Sequence, residues 1–495
     1  MSRNRVILVT VGIMLSLFLA SMESTVVATA MPTIVGQLGG LEHYSWVFSA
    51  FMLASTTTVP LYGKLSDLYG RRRLYVFAMA LFLIGSVLSG LSRSMPELIA
   101  ARALQGLGAG GIQPLAFILI GEMFSLSERA RMQGFFSGVW GVSSIIGPLL
   151  GGFIVDQLSW HWVFYINLVP GLLAASLVAF AWRDHARTHE RPAVDYAGAA
   201  LLSASVVALL LGMVELGTAG SWLLIGGSVV LFLALLWVES RAADPILPVH
   251  LFRDRLFTSG VAHGVLTGWA MFGSVSFFPL FVQSVLGTSA TQAGITITPM
   301  LLGWVTASII GMRLLVRVGY RILGLAGTSI LVAGTFLMTT IGAGSSQALM
   351  MVFVALMGVG MGLSIPSFLV AIQTSVERRY LGTATSTLQF SRSIGGTLGV
   401  SVMGAALSLK LAANLSAAGL DPGIVTRLLD PLPGTDLTLN AGASLAMANA
   451  MHIVFVIAFA AAVLGLLAVS FTPHRVLAEK VPVPAQGNQP PVSPD

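Results

Sequence analysis

The chain has 495 residues, of which 55% are hydrophobic and only 9% charged, whereas a soluble domain carries roughly 25% charged residues. A soluble enzyme is therefore excluded in favour of a body whose solvent is lipid, and the absence of cysteine excludes disulfides, thiolate metal sites and a cysteine nucleophile. The net charge of +6 does not read as a nucleic-acid surface, because the bases lie between apolar spans instead of forming one patch.

Taking about 20 apolar residues as one crossing, the sequence predicts helices over 6–30, 44–66, 74–92, 97–121, 131–156, 162–182, 195–217 and 220–239. Six more follow over 257–285, 291–316, 321–343, 348–374, 380–409 and 446–472. Fourteen crossings place both termini on one side. With the amino terminus inside, all of the 26 Lys and Arg residues fall in cytoplasmic segments except Arg93, Arg102, Arg392, Lys410 and Arg427, as the positive-inside rule requires. Arg3, Arg5 and the triplet Ala28-Thr29-Ala30 imitate a cleavable signal peptide. Glu23 does not belong in such a segment, and the spans that follow need a first one to set their direction. The Pro-rich stretch 473–495 (PHRVL… to PPVSPD) is expected to be a disordered cytoplasmic tail.

The stretch RALQGLGAGGIQP at 102–114 contains G-x-G-x-x-G, but a dinucleotide loop must follow a strand and open a helix. This one lies inside an apolar helix. It also has a twin: Gly106, Gly108, Gly110 and Pro114 recur 252 residues later as Gly358, Gly360, Gly362 and Pro366, and Gly134, Gly147 and Gly151 recur 248 later as Gly382, Gly395 and Gly399. The glycines read as small-residue faces that let helices approach, and the repeat divides the chain. A six-helix bundle is expected over 1–183, two additional helices over 194–240 and a second six-helix bundle over 255–472.

Four segments carry the chemistry. Gly63-Lys64-Leu65-Ser66-Asp67-Leu68-Tyr69-Gly70-Arg71-Arg72-Arg73 is a short basic loop. It fixes orientation, and its Asp67 is suited to face a helix amino terminus or an arginine. Gly138 through Gly147-Pro148-Leu149-Leu150-Gly151-Gly152 combines tight-packing glycines with a proline that removes a helical donor and should bend helix five. Glu23 and Arg102 are ionisable groups inside apolar spans, each costing about 2.5–3.5 kcal/mol on insertion scales unless it finds a partner or a wet cavity. At 1.5 Å per residue both fall roughly 8–10 Å below the outer surface, so they can meet or share a polar cavity. Movement between an apolar environment, which raises a carboxyl pKa, and an arginine, which lowers it, would load and release a proton.

These segments resemble signatures of the major facilitator superfamily. The 63–73 stretch is similar to its loop between helices two and three, Arg102 with Gln105 and Gly106 to its fourth-helix motif, and 138–152 to the fifth-helix signature of its proton-driven exporters. Met22-Glu23-Ser24-Thr25-Val26-Val27-Ala28-Thr29-Ala30-Met31-Pro32 resembles the first-helix signature of the fourteen-helix drug:proton antiporters, which usually have Asp where this chain has Glu23. The resemblance covers essentially the whole chain. It implies an all-α membrane protein of fourteen transmembrane helices, built as two six-helix major-facilitator bundles around a midplane site plus two additional helices between them. It also implies a cytoplasmic latch formed by Gly63, Asp67, Gly70, Arg71 and Arg72, with Asp67 directed to the start of helix thirteen near Tyr380. The second-half counterpart, Arg317-Val318-Gly319-Tyr320-Arg321, is degenerate. Gly138, Gly147, Pro148, Gly151 and Gly152 are implied to form the seal that distinguishes exporters.

Arg392 lies near mid-depth in helix thirteen and is a candidate either for substrate contact or for the fold's own polar groups; Gln113, Trp140, Phe277 and Gln373 are further candidates for the cavity. His161 and His263 have no second ligand at metal spacing, so no metal or other cofactor is assigned. No nucleotide motif supplies an energy source. The expectation is a non-enzymatic, monomeric multi-pass protein of the cell (inner) membrane that exchanges hydrophobic or amphipathic small molecules for protons and binds no nucleic acid. The alternative is a dedicated exporter of one cargo such as a lipid, siderophore or antibiotic.

Overall fold

The computed structural model describes residues 2–39, 43–184, 195–214, 218–242, 245–247, 249–288, 290–417 and 441–474. The described residues form α1 (Arg3–Leu38), α2 (Tyr44–Tyr69), α3 (Arg71–Leu91), α4 (Met95–Met123), α5 (Leu126–Gln157), α6 (His161–Tyr165), α7 (Leu168–Ala181), α8 (Tyr196–Val214) and α9 (Ala219–Glu239). After a 3-10 turn at Val249–Arg253 come α10 (Arg255–Leu286), α11 (Ala290–Val318), α12 (Tyr320–Thr339), α13 (Gln347–Ser375), a second 3-10 turn at Arg378–Tyr380, α14 (Leu381–Ala417) and α15 (Ala441–Ser470). The expected disordered tail lies, from residue 475 onward, outside the described residues.

Among the described residues, twelve helical stretches are long and apolar enough to cross a membrane, with α6 and α7 together making one (His161–Ala181). The chain is an all-helical, multi-pass membrane protein. Every expected span has a helix, and the twelve differ from the fourteen expected crossings by α2 and α5. α2 carries Lys64 and Asp67 near its end, and α5 opens with Glu128, Arg129 and Arg131. These are also the helices that reach across the molecule, α2 packing on α14 and α5 on α11.

Two departures from the expected spans bear on the site. Helix one continues past residue 30 to Leu38. The sixth span is two helices, broken at Ile166-Asn167, where the Asn167 amide bonds the Phe164 carbonyl in the tighter three-residue spacing. The break turns Asn167, fully buried, into the interior.

Within α1–α7, α4 packs between α2 and α3, and α1 packs on α5 and α7; within α10–α15, α13 packs between α11 and α12, and α10 packs on α14 and α15. The repeated glycines make the parallel. A side chain at Gly108 would strike the Phe82 amide and Ala78 carbonyl of α3, and one at Gly360 the Leu331 amide and Gly327 carbonyl of α12. One residue type at the same register brings backbone against backbone in both sets. The helix starts repeat as well: Ser94 caps α4 by accepting from the Glu97 amide, and Ser346, 252 residues on, caps α13 through the Leu349 amide. The α8–α9 pair packs on α2 and α14, around Leu202, Val206 and Leu235.

The apolar core is unevenly divided. One cluster takes residues from both sets, among them Leu115 and Phe136 with Leu256, Phe368 and Leu381. At the opposite end the core separates. Met22, Val26, Leu98 and Phe164 form one cluster within the first set, and Phe278, Met300, Met357 and Met451 another within the second.

Candidate functional site

Glu23 and Arg102, each only 1% exposed, meet with Oε1 2.5 Å from Nη1. Charges so far from water require every lone pair to be satisfied, and α4 itself with three further elements supplies the partners. Gln105, one turn along α4, donates from Nε2 to Glu23 Oε1 at 3.0 Å and accepts from Arg102 Nη1 at 2.7 Å. Asn167 donates to Glu23 Oε2 at 2.6 Å. The Ser86 hydroxyl of α3 accepts from Gln105 at 3.3 Å and from Asn167 at 3.0 Å, and donates to the Phe164 carbonyl at 2.8 Å. Arg102 Nε reaches the Val47 carbonyl of α2 at 3.4 Å, and its guanidinium lies 4.2 Å above the Phe51 ring. A single carboxylate is thus held by α1, α3, α4 and the α6–α7 break. Asn167 Oδ1 has no hydrogen-bond partner among the described residues, so the network keeps one buried acceptor in reserve beside the carboxylate.

A second polar cluster sits where the shared core lies. Asp67, just beyond the expected 44–66 span, accepts from the amides of Gly382 (3.1 Å) and Thr383 (2.8 Å) and from the Thr383 hydroxyl (3.1 Å). It therefore occupies the amino terminus of α14, where the helix dipole favours an anion, and pairs with Arg71 at 2.9 Å. Burial outweighs these contacts and pushes the Asp67 carboxyl up to about 6. Glu122 of α4 bridges Arg71 Nε at 2.8 Å and Arg378 Nη2 at 2.8 Å. Asp184 Oδ1 accepts from the Arg71 and Arg72 amides at 3.0 and 3.3 Å and from Trp182 Nε1 at 2.8 Å. Gly70 joins α2 to α3 at φ 106°, a backbone that side chains rarely adopt, and a Cβ there would press on Asp184. Gly63 and Gly382 bring α2 and α14 into backbone contact, each leaving no room for a Cβ against the other's carbonyl.

On α5, Gly147 abuts Thr25, Gly151 abuts Thr29 and Val26, and the hydroxyls of Ser143 and Ser21 share a hydrogen bond. Ser143, Gly147 and Gly151 follow one another at four-residue spacing, as do Ser21, Thr25 and Thr29 opposite, so two small-residue stripes mesh α5 onto α1. Gly138 and Gly152 face open space. Nearer the shared core, Ser137 donates to Ser308 at 2.9 Å, which joins α5 to α11. The helix is continuous through residue 148; the side chains of Pro148, Ser24 and Pro32 lie outside the described residues.

A model of the Major Facilitator Superfamily matches residues 13–400. The chain belongs to that superfamily of membrane transporters. It is 39% identical over 436 residues to the "Multidrug transporter protein MdtP" of Bacillus subtilis (strain 168), covering 87% of this chain and 79% of that one. It is 37% identical over 402 residues to "Multidrug resistance protein 3" of the same organism, covering 80% and 78%. Among solved structures it resembles the proton:xylose symporter XylE bound to 6-bromo-6-deoxy-D-glucose, with a TM-score of 0.65 at 14% identity over 96% of this chain and 97% of that one. That likeness concerns the fold alone.

In this superfamily member the remaining candidates disperse. Gln373 donates to the Phe117 carbonyl of α4 at 3.1 Å and to Thr385 at 3.2 Å, joining the two helix sets on the side of the shared core. Phe277 is partly buried against the second-set core, Gln113 is partly buried on α4, and Trp140 is 41% exposed. Arg392 lines a small cavity between α10, α13 and α14. Sequence reasoning missed Ser86, Asn167, Glu122, Asp184 and Thr383. For Asn167 a signal existed: an amide inside an otherwise apolar stretch of 21 residues.

Proposed function

We propose that this transporter is a proton-coupled antiporter that exports hydrophobic or amphipathic small molecules by alternating access. The reading takes α1–α7 and α10–α15 as the two moving bundles, α8–α9 as the two additional helices, and all fourteen spans as crossings. The charge distribution supports cytoplasmic termini, which makes the latch end cytoplasmic and the separated cores external, in the cell (inner) membrane. The similarity to chains named for multidrug transport and resistance supports drug-like cargo, and a single copy contains both bundles.

The observation that carries the proton is Glu23: one carboxyl group, 1% exposed, in contact with Arg102, Gln105 and Asn167 in a chain with no nucleotide motif. When the helices around it shift, the carboxylate exchanges these donors for water or for a proton. Arg102 stabilises the charged state and Asn167 orients it. The latch residues Asp67, Arg71 and Glu122 hold the cytoplasmic side shut while the outer side is open.

The test is flux of a drug-like substrate in proteoliposomes under an imposed pH gradient. Wild-type protein is expected to accumulate substrate against its gradient. Glu23→Gln, which resembles the protonated form, is expected to lose gradient-driven accumulation while still binding substrate. Unchanged accumulation and pH dependence in Glu23→Gln would remove Glu23 from the coupling step.

A further inference from the structure

The cavity between α10, α13 and α14 is not explained by the coupling network or the latch. His263, Thr267, Phe368, Leu369, Gln389 and Arg392 contribute to its wall, and its volume of ≈ 20 Å³ is room for about one water-sized group. Arg392 makes no ion pair or hydrogen bond among the described residues, and Gln389, 5% exposed, leaves Nε2 without a partner. The other polar groups are occupied: His263 Nε2 faces Thr328 Oγ1 at 3.2 Å, and the Thr267 hydroxyl donates to the His263 carbonyl at 2.6 Å. The site therefore presents unused donors and no matching acceptor, beside the apolar faces of Phe368 and Leu369.

The repeat shows that the scaffold does not require this. Gly382, Gly395 and Gly399 correspond to Gly134, Gly147 and Gly151, which places Arg392 and Gln389 opposite Ser144 and Gly141 of the first set. The charge and the amide are additions to one half. Phe390 and Ile394, on another face of α14, pack with α2 and α8, so Arg392 is turned into its own half and away from that packing. An intramembrane guanidinium without a counter-charge is costly, and a carboxylate is the group whose geometry it fits.

We propose that Arg392 and Gln389 form a subsite for the carboxylate of an amphipathic organic anion, whose apolar body lies against Phe368 and Leu369. The proposal rests on the export reading and narrows its cargo. In the conformation described, the cavity has room for only a water-sized group beside Arg392 and Gln389, and the carboxylate and its apolar body occupy space made available when the two helix sets move apart.

The experiment measures equilibrium binding of three probes sharing one aromatic body, 1-pyrenebutyrate, 1-pyrenebutanol and 1-pyrenebutylamine, to the full chain in nanodiscs, with empty nanodiscs subtracted. Wild-type protein is expected to bind the butyrate at least about tenfold tighter than the alcohol, the strength of a charge-assisted hydrogen bond. Arg392→Ala is expected to abolish that preference while leaving the alcohol unchanged, Arg392→Lys to retain part of it, and Gln389→Leu to weaken the butyrate about threefold, as loss of one neutral hydrogen bond does. Retained alcohol binding certifies a folded variant, and Arg392→Lys and Gln389→Leu carry the test if Arg392→Ala does not fold. Equal binding of the three probes by wild type, or an anion preference intact in Arg392→Ala, overturns the subsite. Binding is read separately from flux: an Arg392-dependent preference in a protein that moves nothing under a pH gradient supports the subsite and defeats the export reading.

Discussion

The two helix sets share one glycine scaffold and differ in the polar groups placed on it. In α1–α7 the buried arginine, Arg102, is matched by Glu23 and by the Gln105 amide; in α10–α15 the partly buried arginine, Arg392, faces a cavity. Packing register and chemistry have therefore been set independently. Gly108 and Gly360 have to be small for α4 and α13 to reach their neighbours, whereas nothing in the register dictates a carboxylate at Glu23 or a guanidinium at Arg392.

The sharpest way to break this comparison is to remove each arginine. Arg102→Ala leaves Glu23 buried without its counter-charge and is expected to cost about 3–5 kcal/mol. Arg392→Ala deletes a charge with no partner and is expected to leave stability within about 1 kcal/mol or improve it. Thermal unfolding of both variants in the same detergent, read as a difference in midpoint, checks this; equal losses would mean that Arg392 is as structurally committed as Arg102.

Next in size is the shared scaffold itself. Gly108→Val and Gly360→Val each push a branched side chain into neighbouring backbone and are each expected to destabilise by about 1–3 kcal/mol. Similar midpoint losses in the two variants support a common register, and a loss in only one would show that the repeat has diverged in packing.

The proposed latch separates the halves in another way: Asp67 of α2 reaches the amino terminus of α14, whereas the counterpart segment 317–321 of the second set carries no acid. Burial raises the Asp67 carboxyl to about 6 from the ordinary 3.8 in the latched state. That state takes up a proton first, so its relative stability grows as pH falls through 6 and is lost as pH rises above it. Between pH 7 and pH 5 the latched population is expected to rise about tenfold relative to the unlatched one. Spin labels on Arg72→Cys and Arg379→Cys, in a chain with no native cysteine, report the distance across the latch. Asp67→Asn is expected to flatten the pH response, and a response that survives it assigns the titration elsewhere. The smallest effect is expected at Arg378, whose pair with Glu122 is 58% exposed on the arginine side. Arg378→Ala should change stability by only about 0.2–1 kcal/mol in the same unfolding assay.

The glycine repeat, the basic loop and the isolated charges were legible in the sequence because each violates the background of an apolar helix. Glu23 and Arg102 stand out for that reason, and their depth along two helices already makes contact geometrically reasonable. Ser86 and Thr383 are ordinary polar residues whose significance lies in partners up to 316 positions away, a relation that periodicity does not carry. Glu122 and Asp184 sit at the ends of spans, where acids are unremarkable until Arg378 and the Arg71 amide arrive beside them.

In the proposed alternating-access cycle, the single core shared at the latch end and divided at the other would also filter cargo. Parting the helix sets at the latch strips apolar side chains such as Leu115, Phe136, Phe368 and Leu388 from one another, at about 25 cal/mol for each Å² wetted. An oily molecule entering the gap covers those surfaces again, while a sugar or an ion leaves them wet. Under that reading, greasiness in the passenger lowers the barrier to the motion that admits it, a selection by solubility that operates before any specific contact is made.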